Sequence, residues 1–306
     1  MDYNDRRVMR KTLLSIALCM ILLASCTGLS GATQTGGLRV LATETFLGDI
    51  AQNVAGSRIR IETLLPVTAA PHEFQPTPQD AIKIAESRVL IVNGLGYETW
   101  LTKTLENSGG LVVVASNGLS PNPDPSGEHP DGDPHMWMDP LKVIHYVENI
   151  RDGFSQADPA GKEIYSANAQ AYIAQLQDLD RWVKSQVALV PPEKRLLVTN
   201  HDALGYFSEA YGFKVVGAVI PSVTNVASPS AQQMAALIDT IKSSGAPAIF
   251  LDISENQKLA NQIASESGAK VVTDLYVETI SAPDGPAATY IEMIKHDVTE
   301  IAAALK

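Results

Sequence analysis

The chain has 306 residues and is acidic, with 34 Asp and Glu residues against 23 Lys and Arg residues and a formal net charge of −11. This charge argues against nucleic acid as a partner, because phosphate binding requires a basic surface. The length is sufficient for two domains, each with an apolar core.

The N-terminal segment has the pattern of a lipoprotein signal peptide. Basic residues at positions 6–11 precede an apolar run at 13–23, and Leu23-Ala24-Ser25-Cys26 is a small-residue cleavage site that ends in cysteine. We expect residues 1–25 to be removed, Cys26 to carry lipid, and residues 26–37 to form a flexible tether. The alternative, a membrane-spanning helix, is disfavoured because the run is shorter than the roughly 20 residues that a bilayer needs.

The two cysteines of the chain, Cys19 and Cys26, both lie in this segment. No disulfide is therefore expected in the mature chain, and its stability must come from an apolar core. The location that follows is extracytoplasmic, with a lipid anchor in the cell membrane, either in a periplasm or on the outer cell surface.

Beyond the tether, short apolar runs alternate with segments of helical periodicity in two similar halves. The runs lie at 39–43, 59–65, 89–92 and 111–114 in the first half, and at 196–199, 213–216, 248–251 and 270–273 in the second. This alternation predicts an α/β fold with two lobes, each built on a mainly parallel four-stranded sheet. We place the N-terminal lobe at 38–157 and the C-terminal lobe at 191–306.

A long helical pattern separates the halves. It begins at Asp158-Pro159, an N-cap and N1 pair, and keeps apolar residues at spacings of three and four until Pro191. One rigid linking helix is predicted over 158–190, with a length of roughly 45 Å at 1.5 Å per residue. In the second lobe, Ser228 and Pro229 are the predicted N-cap and N1 of a helix.

Four residues offer ligands for one transition metal: His72, His135, His201 and Asp274. His201 and Asp274 follow predicted strands by two residues and by one. Because ligands of open α/β sheets bind outside the carboxyl ends of the strands, we expect the four side chains to meet in the cleft, two from each lobe. Imidazole nitrogen and carboxylate oxygen suit Zn²⁺, with Mn²⁺ as the alternative.

Each of these residues also has a structural interpretation. A single histidine near a strand end is usually a satisfied polar residue, but four candidates at equivalent places in a two-lobed pattern favour metal ligation. We interpret His145 and His296 as structural or solvated, and His129 as part of a solvated acidic loop. The candidate acceptors that would orient the imidazoles are Glu73, Asp139 and Asp202.

Five segments carry a family resemblance: residues 71–80, 93–100, 133–140, 199–206 and 273–276. Through them the chain resembles the zinc and manganese ABC-transporter substrate-binding lipoproteins, the cluster A-I metal-binding proteins, over nearly its whole length. The resemblance implies metal capture between two lobes bridged by a helix, then delivery to a membrane permease driven by a cytoplasmic ATPase. It also implies zinc, because manganese-binding members often carry glutamate at the position of His201. We expect a monomer.

The competing class is a zinc metalloenzyme. His72-Glu73 begins like the zinc-protease helix motif, but Pro76 stands where the second histidine would be, and prolines at 71, 76 and 78 forbid a helix there. We therefore expect a zinc-binding transport protein and no enzyme. The alternatives are a manganese- or iron-specific member of the same family, a surface adhesin, or a metalloenzyme on the same body.

Overall fold

The computed structural model describes residues 37–67, 69–101, 109–124, 127, 129–220, 229–254 and 257–306, with the side chain of Glu73 excepted. The predicted signal peptide, the lipidation residue Cys26 and the tether up to residue 36 lie outside these described residues. Among the residues described, no helix combines the length and the apolar character needed to cross a membrane.

The first half of the chain folds into a parallel sheet. Its strands are β1 (Val40–Ala42), β2 (Ile61–Thr63), β3 (Val89–Val92) and β4 (Leu111–Val114). They lie in the order β2-β1-β3-β4. Every residue of β3 is buried, as in a strand whose sheet is covered on both faces. Two helices follow the first two strands, α1 (Thr45–Ala55) and α2 (Pro78–Glu86).

Two helices lie between β4 and the second half of the chain. Helix α3 (Pro140–Ala157) was not anticipated, and α4 (Lys162–Val187) is the linking helix, with 26 residues. The predicted helix over 158–190 is therefore too long at both ends. Asp158 does not cap α4, because its carboxylate accepts hydrogen bonds from Arg58 Nε at 2.5 Å and from the Tyr165 hydroxyl at 2.5 Å. A short 3₁₀ turn, Pro159–Gly161, intervenes.

The second half repeats the first. Its strands are β5 (Leu196–Thr199), β6 (Lys214–Ala218), β7 (Ala248–Asp252) and β8 (Lys270–Leu275). Their order, β6-β5-β7-β8, matches that of the first sheet, and all pairs are parallel. The helices are α5 (Gly205–Tyr211), α6 (Ala231–Ser244), α7 (Gln257–Ser267) and α8 (Tyr290–Leu305). The prediction of two four-stranded parallel sheets is confirmed.

The N-terminus of α6 differs from the prediction by two residues. The N-cap is Ser230, whose hydroxyl accepts from the Gln233 backbone while the Gln233 side chain accepts from the Ser230 backbone. This reciprocal capping box satisfies two N–H donors at once. Pro229 therefore precedes the cap instead of occupying N1, and Ser228 lies outside the described residues.

One apolar core extends through both halves. It includes Phe46 and Trp137 from the first half and Phe250 and Tyr290 from the second, each no more than 2% exposed. Helix α8 packs against α1 and α4 as well as against β8, and the Tyr290 hydroxyl donates to the Trp137 carbonyl at 2.7 Å. The C-terminal helix thus ties the second half to the first, which restricts relative motion of the two sheets.

The side chain of Asp49 connects helix α1 to the start of α8, and this contact can be tested by mutation. Its carboxylate accepts the backbone N–H of Tyr290 at 2.9 Å, at the start of α8, and burial raises its pKa from the usual 3.8 to about 6. Between these values the folded state holds a proton that the unfolded state has lost. The stability from this carboxyl is therefore full below about pH 4 and is lost as the pH rises through 6, up to about 3 kcal/mol.

The Asp49→Asn variant keeps an acceptor for Tyr290 but cannot ionise. Its free energy of unfolding, relative to that of the parent, should therefore increase between pH 4.5 and pH 7.5. Urea denaturation at the two pH values measures this difference. A difference that stays constant with pH would contradict the assigned pKa.

Candidate metal centre

Two histidines reach the cleft from loops of the first half. His72 lies in a 3₁₀ turn, Pro71–Glu73, between β2 and α2, where Pro71 fixes the first position of the turn. His135 immediately precedes a second 3₁₀ turn, Met136–Met138, between β4 and α3. Both loops follow carboxyl ends of strands in the first sheet, at the edge where α/β proteins bind ligands.

Two further side chains reach the cleft from the second half. His201 follows the last residue of β5, Thr199, by two positions, and Glu278 follows the last residue of β8, Leu275, by three. The side chain of His201 is 7% exposed and that of Glu278 is 1% exposed. The cleft between the halves therefore receives two buried groups from each side.

The four side chains converge on a single point. The Nε2 atoms of His72, His135 and His201 lie 2.8, 3.8 and 3.3 Å from Oε1 of Glu278. One ligand atom from each residue lies within 4.8 Å of the ligand atoms of the other three. Three imidazole nitrogens and one carboxylate oxygen at such separations can surround one cation, because zinc takes these donors at about 2.0–2.2 Å in a tetrahedral shell.

The charges of the site favour a cation. Burial opposes ionisation of Glu278, but His72 and His201 beside it hold the pKa of this carboxyl well below its usual range. Burial also lowers the pKa of His135, yet the hydrogen bond to Asp133 and the nearby Glu278 carboxylate outweigh it and raise that pKa to about 9. A carboxylate that stays ionised in a buried cleft is costly unless positive charge lies next to it.

Asp133 orients one of the imidazoles. Its Oδ1 accepts from the His135 backbone at 2.9 Å and lies 2.8 Å from Nδ1 of the same residue. A proton on Nδ1 leaves Nε2 as the metal-binding atom, which is the usual arrangement of a carboxylate behind a metal-bound histidine. Sequence reasoning named other acceptors for this role. Of these, Asp139 instead caps α3 by accepting from Leu141.

Asp274 does not join the group, and the prediction of this residue as a ligand needs correction. Its side chain is 57% exposed and lies 4.0 Å from Nε2 of His296. Strand β8 continues to Leu275, two residues past the predicted end, so Asp274 is still inside the strand, on its solvent-facing side. The turn that reaches the cleft begins later and brings Glu278 there. The two carboxylates are four residues apart, and sequence reasoning chose the first.

His129 also differs from its prediction. It was expected in a solvated loop, but it is 5% exposed, and its ring centroid lies 5.8 Å from that of His72. Its backbone N–H donates to Asp124 at 2.7 Å. The loop before His135 therefore packs a fourth imidazole against the cleft, although His129 is not among the four residues that converge on one point.

Comparisons with known proteins agree with this architecture. The sequence model of the ZnuA family, described as "Zinc-uptake complex component A periplasmic", matches residues 40–304. The chain is 35% identical over 307 residues to the manganese-binding lipoprotein MntA of Halalkalibacterium halodurans, which covers 97% of this chain and 99% of that protein. It is also 35% identical over 266 residues to the iron-binding protein YfeA of Yersinia pestis, which covers 86% of this chain and 85% of that protein.

Solved structures show the same fold. The periplasmic zinc-binding protein TroA from Treponema pallidum superposes with a TM-score of 0.82 at 28% identity, covering 88% of this chain and 99% of that one. A manganese-bound periplasmic metal-binding protein from Candidatus Liberibacter asiaticus superposes with a TM-score of 0.76 at 30% identity, covering 87% and 99%. On these matches, the chain belongs to the ZnuA family of metal-binding, substrate-binding proteins of ABC transporters.

Proposed function

We propose that this protein captures a divalent transition metal, zinc in preference to manganese, and delivers it to an ABC permease. The observation that carries the proposal is the convergence of three Nε2 atoms on one oxygen of Glu278. The metal is the transported substrate, held by His72, His135, His201 and Glu278. Neutral imidazoles and one carboxylate leave a bound Zn²⁺ with a net local charge near +1.

The position of the donors relates capture to release. His72 and His135 belong to loops of the first sheet, whereas His201 and Glu278 belong to loops of the second. A metal bound by all four joins the two sheets, and any separation of the sheets leaves at most two donors on each side. A two-donor site holds zinc far more weakly than a four-donor site, so separation at the permease would release the ion.

The choice of metal rests on the donor atoms. Three nitrogens and one oxygen favour zinc over manganese, because affinity for such donors rises from Mn²⁺ towards Zn²⁺ and manganese prefers carboxylate and water oxygen. A manganese or iron substrate is the second candidate. Relatives named for manganese and iron support it, whereas the structural neighbour TroA is named for zinc.

The protein works outside the cytoplasm in this proposal. Relatives such as MntA are named lipoproteins, and Cys26 stands at the end of a lipoprotein cleavage pattern. Two acyl chains on that cysteine would hold the protein at the membrane that carries the permease. Its partners are then the permease and, through it, a cytoplasmic ATPase.

A hydrolytic zinc enzyme is the weaker proposal. Catalytic zinc keeps a coordination position for water and needs a general base beside it. Here Glu278, which lies within 4 Å of Nε2 of all three histidines, offers a fourth protein donor. A donor set closed by protein favours binding and release over catalysis.

The pair Glu278 and Asp274 gives a matched test of the ligand set. Glu278→Gln should weaken zinc affinity by more than about 100-fold, since loss of a direct ligand exceeds the 10- to 100-fold effect of losing a group behind a ligand. Asp274→Asn, four residues earlier, should stay within about threefold of the parent, because that side chain faces solvent. Competition with a chromophoric chelator measures both. Equal losses of zinc affinity in the two variants, or a larger loss for Asp274→Asn, would contradict the assignment of Glu278 as a ligand.

The metal preference is tested on the full chain purified without a chelator. Zinc should displace bound manganese, and a competition titration should give a lower Kd for Zn²⁺ than for Mn²⁺. Elemental analysis of the purified protein provides an independent reading. A lower Kd for manganese would overturn the zinc preference while leaving metal capture intact.

Zinc binding should also release protons. His135, with its pKa raised to about 9, carries a proton at pH 7.5 in the metal-free protein, and that proton must leave before Nε2 can bind zinc. The Kd should therefore decrease by up to about tenfold per pH unit between pH 7 and pH 9. Calorimetry in buffers of different ionisation enthalpy should show about one proton released at pH 7.5. No proton release and a constant Kd would contradict the raised pKa of His135.

A further inference from the structure

The segment that carries Glu278 makes hydrogen bonds to both halves of the molecule. We call this segment, residues 276–280, the ligand strap. Its backbone N–H groups at 276, 277, 278 and 280 all donate to side chains that lie outside the strap. The acceptors divide into two sets: buried carboxylates of the second half, and groups of the first half. The position of Glu278 in the cleft depends on which set holds the strap more firmly.

The carboxylate of Asp252 holds the centre of the strap. Asp252 is the last residue of β7 and is 3% exposed. Its Oδ2 accepts from the backbone N–H of Val277 at 2.6 Å and from that of Glu278 at 3.2 Å. Its Oδ1 accepts from the backbone and the hydroxyl of Ser254 at 2.8 and 2.7 Å. Four donors face the two oxygens, so a proton on either oxygen would displace one of them.

Apart from the Glu278 carboxylate, which lies 2.8 Å from Nε2 of His72 at the metal site, the strap contacts the first half through neutral hydrogen bonds. Trp137 Nε1 donates to the Val277 carbonyl at 2.8 Å, and Thr45 Oγ1 accepts from the Ile280 backbone at 3.0 Å. The hydroxyl of Thr279 donates to the Val67 carbonyl at 2.9 Å. Hydrogen bonds to an ionised carboxylate are roughly twice as strong as neutral ones. Outside the metal site, the strap is therefore held more firmly by Asp252 than by any single group of the first half.

We propose that Asp252 is a positioning residue of the metal site: it fixes the backbone at Val277 and Glu278, and so places the Glu278 carboxylate against the three imidazoles without touching the metal itself. The inference rests on the proposed ligand set. It assigns the strap to the second half, so that Glu278 leaves together with His201 when the halves separate. His72 and His135 then remain behind as a two-imidazole site.

Asp252→Asn tests the inference with little change of volume. The amide keeps one oxygen but turns an N–H₂ group towards donors, so one side of the clamp is lost. Zinc affinity should fall by about 10- to 100-fold, the range for a group that orients a ligand. The zinc dissociation rate, followed with an excess of chelator, should rise by a similar factor. In the cobalt-loaded protein, the visible absorption bands should shift towards those of Glu278→Gln, which a general loss of stability would not produce.

Asp297→Asn is the matched control. Asp297 is 2% exposed, and among the described residues its carboxyl group accepts at the end of the strap, from the Tyr276 backbone at 2.8 Å. This variant tests the loss of a buried carboxylate near the strap, and its zinc affinity should stay within about threefold of the parent. The thermal midpoint of each metal-free variant shows that it is folded. If Asp252→Asn does not fold, Ser254→Ala, which removes one of the two donors to Oδ1, should increase zinc dissociation by a smaller factor.

The outcomes separate the inference from the function on which it rests. A strong loss of zinc affinity in Glu278→Gln with no loss in Asp252→Asn would overturn the positioning role of Asp252 and leave the proposed metal site intact. Equal losses in Asp252→Asn and Asp297→Asn would show a general weakening of the strap, which also overturns it. No loss in Glu278→Gln would instead refute the proposed ligand set. Loss in Glu278→Gln and in Asp252→Asn, with the control unchanged, supports the positioning role.

Discussion

The structure depends on an electrostatic constraint: the two halves bury ionisable side chains together at one point. Three imidazoles and a carboxylate that is 1% exposed meet in a cleft with little access to water. Each group alone would pay a large desolvation cost there. In the metal-free state a proton on His135, whose pKa is raised to about 9, reduces this cost, and in the proposed function a bound cation takes its place. The fold therefore favours a positive charge at the point where these four side chains meet.

That preference requires rigid support, and the support comes from both sheets. The shared apolar core and helix α8 limit motion of one sheet against the other. The donors themselves lie on loops, each fixed by local chemistry: a proline-led turn at His72, the Asp133 carboxylate at His135, and the Asp252 clamp at Glu278. In the proposed function, a stiff body with fixed loops favours tight binding, and release requires the donors of the two halves to move apart at these loops.

Much of this could be predicted from the sequence. The apolar runs predicted the eight strands in the described part of the chain and the two-lobed arrangement, because parallel strands buried on both faces are continuous runs of branched apolar residues. The three histidines among the four converging residues were also predicted, because each lies in a loop that follows a predicted strand. The fourth was missed because a strand end cannot be located to within a residue or two from composition. The strand was predicted to end at Thr273 but ends at Leu275. Because of this difference of two residues, Asp274 was predicted as the ligand instead of Glu278.

Other features depend on contacts that the sequence does not encode locally. Asp158 resembles a helix cap, but Arg58, distant in sequence, takes its carboxylate. His129 resembles part of a solvated loop, but tertiary packing buries it against His72. Anomalous diffraction at the zinc edge from crystals of the zinc-loaded protein would locate the metal directly. We expect one peak about 2.0–2.2 Å from Nε2 of His72, His135 and His201 and from the Glu278 carboxylate; a peak beside Asp274 and His296, or one bound by a single half, would contradict this ligand set.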